Sequence, residues 1–128
     1  QISLIKEHRY SEVDWPNLLE EIEDLSKRER DRFLSSIRLI IKHLLKWEYQ
    51  PELRSRSWQI TIKRERNHLQ RYLRDTPSLK RYWADLDKVY RDARADAANE
   101  TGLSDWTFPD DCPYSQGQIQ TDWFPPEE

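Results

Sequence analysis

RFLSSIRLIIKHLLKWEYQP, residues 32–51, is the stretch whose periodicity decides the fold. Phe33, Ile37, Ile40, Ile41, Leu44, Leu45 and Trp47 recur every three or four residues and form a wide apolar face. A face that wide belongs to the central helix of a bundle, because a surface helix buries a narrower stripe. Pro51 ends the run, since it lacks the amide proton that would continue the ladder.

Upstream, Asp14-Trp15-Pro16 is a helix start: Asp14 caps free N–H groups and Pro16 suits the first turn. Trp15, Leu18, Leu19, Ile22 and Leu25 follow at helical spacing. Ser26-Lys27-Arg28-Glu29 has the capping-box pattern and predicts a break there. Ile2–His8 reads as the end of a further helix. The chain begins at Gln1 and contains no Met, so a preceding N-terminal piece is expected.

Downstream, Trp58, Ile62, Leu69 and Leu73 share one stripe. After Thr76-Pro77, the apolar series Leu79, Tyr82, Trp83, Leu86, Val89, Tyr90, Ala93 and Ala97 runs to Gly102, a good C-terminal stop. The expected helices therefore lie near 15–25, 27–49, 55–74 and 77–101, within one domain spanning 1–128. Short connections make the last three antiparallel in sequence order. The fold class is all-α: an antiparallel helical bundle with an irregular tail, 103–128, packed on it. The tail carries Trp106, Phe108, Tyr114, Ile119, Trp123 and Phe124, too many apolar residues for a solvated segment, and a short helix is expected near Ser115–Gln120.

The 128 residues carry 21 Lys plus Arg against 24 Asp plus Glu, a net charge of −3 that is unevenly spread. Residues 52–81 hold nine cations and three carboxylates, whereas residues 82–128 hold three and eleven. These two thirds are expected to face each other in the bundle. The single cysteine, Cys112, excludes an intrachain disulfide and fits a reducing cytoplasm. No apolar run approaches a membrane span, and no signal peptide is visible. With two glycines in the chain there is no glycine loop to cradle a phosphate.

Two candidate sites stand out. In HLLKWEYQPELRSRSW, residues 43–58, His43, Trp47 and Gln50 share one side of the central helix, and Arg54, Ser55 and Trp58 open the next. The hairpin brings the two sets together as a small polar or anionic site with Arg54 on the anion. The competing reading is structural: Ser55 as N-cap, Arg54 on the carbonyls of a helix end, His43 fixing the turn. The second candidate is cationic. Arg56, Lys63, Arg64, Arg71 and Arg74 fall within about 100° of helix arc, with Asn67 among them. Such a stripe is the footprint of nucleic-acid binding, but no helix-turn-helix, zinc or RNP pattern accompanies it. Arg66 lies near the apolar side of the same helix and is expected to be part-buried against Glu20, Glu21 or Glu23.

Enzyme chemistry is poorly provided for. Three His and one Cys are scattered without HxxxH or CxxC, so no metal or other cofactor is expected. Arg38 and His43 have the R-x4-H spacing of some helical ribonucleases, but five residues rotate them about 140° apart on one helix. Cys112, between Asp111 and Pro113 with no nearby His, lacks the surroundings of a nucleophile.

HLLKWEYQPELRSRSW, with WPNLLEEIEDL before it and ETGL and FPDDCPY after it, resembles the bacterial family called domain of unknown function 29, common in cyanobacteria and proteobacteria. The resemblance covers about residues 10–124. It implies a helical fold and no established activity. The family's typical N-terminus is longer, with aromatic residues ahead of the segment matching Ile2–Tyr10, so one element of the bundle is expected to be missing. The combined expectation is a cytoplasmic, non-enzymatic interaction or regulatory protein with a protein partner. The alternative is a nucleic-acid-associated, ribonuclease-like helical protein.

Overall fold

The structure, a computed structural model, describes residues 14–126. The expected helix at Ile2–His8 lies outside the described residues. Four α-helices occur among the described residues: α1 (Trp15–Tyr49), α2 (Arg56–Asp75), α3 (Leu86–Thr101) and the short α4 (Gln116–Gln120). Tight 3-10 turns cover Pro51–Leu53, Pro77–Asp85 and Asp105–Thr107, and no strand occurs among the described residues. The all-α class is as expected. None of the described helices is long and apolar enough to cross a membrane.

The chain divides into two compact units, with the boundary between Asp31 and Arg32. In the first, α1 runs straight through the expected break at Ser26. No Gly or Pro interrupts 17–49, and a mid-helix Ser costs only a few tenths of a kcal/mol, less than interrupting the hydrogen-bond ladder. Here Leu19, Ile22 and Leu25 remain more than half exposed.

The second unit holds the core. Phe33, Ile37, Ile40, Ile41, Leu44 and Leu45 of α1 are buried with Ile62 and Leu69 of α2 and Val89, Tyr90, Ala93 and Ala97 of α3. α1 and α2 run antiparallel: Ser36 meets Glu65, and Lys46 lies over the Trp58 ring. α1 and α3 run in the same direction, since Arg38 pairs with Asp96 while Lys42 and Lys46 pair with Glu100.

The carboxylates of α3 thus neutralise α1, and not the basic middle third as charge counting suggested. Of the cations of α2, Arg56, Lys63, Arg64, Arg71 and Arg74 are exposed and Arg66 is buried.

The expected fourth helix divides. Pro77–Asp85 is a 3-10 segment in which Leu79 and Trp83 are buried, and α-helix proper begins at Leu86. Gly102 ends α3 in the left-handed conformation, φ 76°, which only glycine adopts without strain.

The tail docks. Phe108, Tyr114 and Ile119 are buried. The Tyr114 hydroxyl donates to Glu48 Oε1 at 2.9 Å; burial first, then the Glu48 charge, pushes its pKa up. The Tyr90 hydroxyl donates to the Pro109 carbonyl. Phe124 packs on Trp47, and Phe108 on Tyr49. Trp106 departs from expectation: it is 84% exposed. Leu103 and Phe108 take the inward positions on either side of it, and Arg94 ties the turn through the Asp105 carbonyl. The pattern of apolar tail residues does not say which of them face inward.

Candidate functional site

The hairpin between α1 and α2 is held from both ends. Ser55 is the N-cap of α2, its hydroxyl accepting from the Trp58 amide at 3.2 Å. Arg54 Nε donates to the Trp47 carbonyl at 2.8 Å, and its guanidinium lies 5.0 Å over the Trp47 ring. Arg54 thereby satisfies one of the carbonyls left free at the end of α1. His43 Nδ1–H donates to the Leu39 carbonyl at 2.8 Å. Burial holds His43 below the usual imidazole pKa, against that hydrogen bond; Lys42 and Lys46 act with the burial, and Glu100 against it. Gln50 is half-buried at the helix end.

Trp58 corrects an expectation. Its spacing places it on the apolar stripe of α2 with Ile62 and Leu69, which are buried, but it is only half-buried itself. It sits in the first turn of α2, at the end of the hairpin, with its ring under Lys46 Nζ at 5.0 Å. Trp83 and Leu44 are in the core. The six residues His43, Trp47, Gln50, Arg54, Ser55 and Trp58 therefore lie along one hairpin, and the contacts of Arg54, Ser55 and His43 serve its backbone.

The cationic face of α2 is intact and outward. Arg56, Lys63, Arg64, Arg71 and Arg74 are all exposed. Arg64 leans on Glu65 and Arg74 on Asp75, each its chain neighbour. Between them runs a shallow groove of about 370 Å³ lined by Ile60, Lys63, Arg64, Asn67, His68 and Arg71. Ile60 lies at the N-terminal end of this groove, one turn after Arg56 and one turn before Lys63 and Arg64, and is 54% exposed.

Sequence reasoning missed both Ile60 and a buried carboxylate that holds two of the groove's lining residues, Arg64 and His68. Glu65 is buried, accepts from the Ser36 hydroxyl at 2.8 Å and from Arg64 Nε at 3.1 Å, and lies 3.5 Å from His68 Nδ1. Burial raises its pKa, but the hydrogen bonds from Ser36 and Arg64 and the charges of His68 and Arg64 outweigh that and hold it below the usual carboxylate value. Glu65-x-x-His68 is a spacing that ligates metals when several such pairs converge. It is alone here, and no group of three or more potential metal ligands occurs among the described residues.

Arg66 is buried as its position on the helix implied, but its partners are different. Its guanidinium donates to the carbonyls of Ile119, Gln118 and Trp123 at 2.9, 2.9 and 2.7 Å, and packs on Phe124. The first two belong to α4, whose final carbonyls lack helical partners. A cation at a helix C-terminus satisfies them and complements the dipole. No carboxylate from residues 20–23 is needed.

Arg38 and His43, the ribonuclease-like pair, are engaged separately, with Asp96 and with the Leu39 carbonyl. The Cys112 thiol donates to the Tyr114 carbonyl at 3.3 Å, and burial pushes its pKa up, away from thiolate chemistry.

Fold and surface together define an all-α protein with an outward cationic helix and a capped, aromatic-lined hairpin. The chain belongs to the family described as "Domain of unknown function DUF29", whose profile matches residues 1–124. Comparison with the curated proteins and with the solved structures finds no match.

Proposed function

We propose that the protein is a non-enzymatic interaction protein of the bacterial cytoplasm, and that the outward face of α2 docks an acidic segment of a partner protein. The observation that carries this is the placement of Ile60, 54% exposed, in one groove with Lys63, Arg64 and Arg71. An apolar anchor flanked by cations along one helix matches an amphipathic helix with carboxylates on either side of one aliphatic side chain. Cations placed beside it steer and orient such a partner, while the apolar anchor supplies the hold. The lone, half-buried Cys112 suits a reducing compartment.

A second reading is supported by the same cations: a row of exposed Arg and Lys attracts phosphates. The net charge of −3 opposes a long polyanion, and an apolar anchor adds nothing to phosphate binding.

The two separate on Ile60. Fluorescence anisotropy would follow a labelled Glu- and Leu-rich helical peptide and, in parallel, a single-stranded RNA. Lys63→Glu with Arg71→Glu should abolish peptide binding, and Ile60→Ala should weaken it about tenfold, the loss of most of one aliphatic contact. RNA binding tighter than peptide binding, and indifferent to Ile60→Ala, would overturn the proposal in favour of the second reading.

A further inference from the structure

His68 stands on α2 between a buried carboxylate and two guanidinium groups. On a helix turning about 100° per residue, Glu65 lies about 60° to one side of it, and Arg64 and Arg71 lie about 40° and 60° to the other. Its Nδ1 is 3.5 Å from Glu65 Oε1, and its ring centre is 6.1 Å from that of Tyr72. Glu65 is fixed in turn. It is 6% exposed, and its carboxylate accepts from the Ser36 hydroxyl of α1 at 2.8 Å and from Arg64 Nε at 3.1 Å. Burial works against its charge, but those two hydrogen bonds, with the charges of His68 and Arg64, hold its pKa below the usual carboxylate value. An ionised carboxylate beside Nδ1 keeps the proton of the neutral ring on that nitrogen and leaves the lone pair on Nε2.

The other side of the ring belongs to the groove. His68 lines it with Lys63, Arg64, Asn67 and Arg71, and 31% of its side chain is exposed. With Nδ1 turned to the buried carboxylate, Nε2 is turned away from it, and no hydrogen bond to Nε2 occurs among the described residues. Arg64 shares Glu65 with His68 and so lies beside the ring, while Arg71 is one turn further on and exposed. Guanidinium forks take the oxygens of a phosphoryl group, so a nucleophilic nitrogen next to them is arranged for phosphorus. The groove's other lining residues offer no second group that gives up a proton near neutral pH, as an alkoxide leaving group would require. A carboxylate leaving group requires none.

We propose that His68 is a phosphoryl acceptor, its Nε2 taking the phosphoryl group of an acyl phosphate. The Nε2 lone pair attacks phosphorus and the P–N bond forms. The P–O bond to the acyl group breaks, and its electron pair leaves on the carboxylate. Nδ1 keeps its proton, the ring becomes cationic, and Glu65 faces that charge as a positioning residue. Arg64 and Arg71 hold the phosphoryl oxygens. The chain is a stoichiometric acceptor and not a catalyst of turnover. Transfer needs Nε2 and peptide docking does not, so either can fail alone.

Incubating the full chain with acetyl phosphate, a small acyl phosphate, tests it. Intact mass and peptide mapping should find one phosphoryl group, on His68, stable to alkali and lost in mild acid. Phosphoserine and phosphoaspartate do not share that pattern. His68→Gln should remove the label, and His43 should carry none. Arg71→Gln removes an exposed side chain, so its circular dichroism spectrum should match the wild type while its labelling slows at least about tenfold. Glu65→Gln should slow labelling too, and where it disturbs the fold Arg71→Gln decides. An unlabelled His68, or labelling of His8 or His43 at least as fast, would overturn the proposal. A rate unchanged in Arg71→Gln would overturn it as well, because it would mark the ordinary reactivity of an exposed imidazole.

Discussion

Arg66 shows how one side chain can hold two elements. Its guanidinium fork reaches three tail carbonyls from the buried side of α2, and Phe124 packs on it. Arg66→Ala leaves those carbonyls without donors in an apolar setting, so we expect a loss of about 3 kcal/mol in urea denaturation. Arg66→Lys keeps the charge but cannot form the fork, and should recover only part of that loss. That Arg66 faces inward was legible from its helix position; its acceptors were not, because backbone carbonyls have no sequence signature and a carboxylate is the conventional guess. His43 makes a pH-dependent contribution. Its burial in the fold lowers its pKa, with Lys42 and Lys46 of α1 acting in the same direction and Glu100 of α3 opposing. The unfolded chain therefore takes up its proton first as pH falls through about 6.5. Stability from this residue is complete above that value and is lost as pH falls toward the depressed folded value. Melting temperatures of the wild type should drop more between about pH 7.5 and 5.5 than those of His43→Gln, in which this site does not titrate.

At the scale of elements, the tail behaves as part of the bundle. Phe108, Tyr114 and Ile119 are buried, and Arg66, Glu48 and Tyr90 each bond to it. Deleting residues 103–128 uncovers Tyr90, Leu69 and the Arg66 guanidinium together, and should lower the melting temperature by on the order of 10 °C or more; an unchanged transition would mean that the tail docks without stabilising. The helices were readable because their apolar periodicity is strong: Phe33 to Leu45 admits one buried face, and Gly102 one sensible stop. Two details were not. The Ser26 capping pattern is a local preference worth less than the ladder it would interrupt, so α1 continues to Tyr49. The 3-10 form of Pro77–Asp85 keeps Leu79 and Trp83 inward much as an α-helix would, and apolar spacing alone does not separate the two over nine residues. At the hairpin, the capping roles of Ser55 and Arg54 follow from sequence. Ile60 and the buried Glu65 escape it, because an exposed isoleucine and an inward carboxylate both run against the usual pattern.

Across the whole molecule, charge is divided between two tasks, and added salt should separate them. The cations of α1 that face α3 are neutralised within the fold: Arg38 by Asp96, and Lys42 and Lys46 together by Glu100. These pairs are part-exposed, so each contributes about 1 kcal/mol or less, and screening them costs the fold little. The cations of α2 are arranged differently. Lys63, Arg64, Arg71 and Arg74 lie on one exposed face, and like charges three residues apart, as Arg71 and Arg74 are, or seven apart, as Arg64 and Arg71 are, repel. Salt relieves that repulsion, which offsets what it takes from the pairs on α1. We therefore expect the melting temperature to stay level or rise slightly between about 0.05 and 0.5 M salt, where the screening length shortens from beyond 10 Å to less than half that. Binding of the acidic peptide should fall over the same range, because the field that attracts it is the one being screened. Thermal melts and anisotropy titrations on the same samples would test the two trends. A melting temperature that fell in step with peptide affinity would mean that the α2 cations stabilise the fold rather than present a docking face.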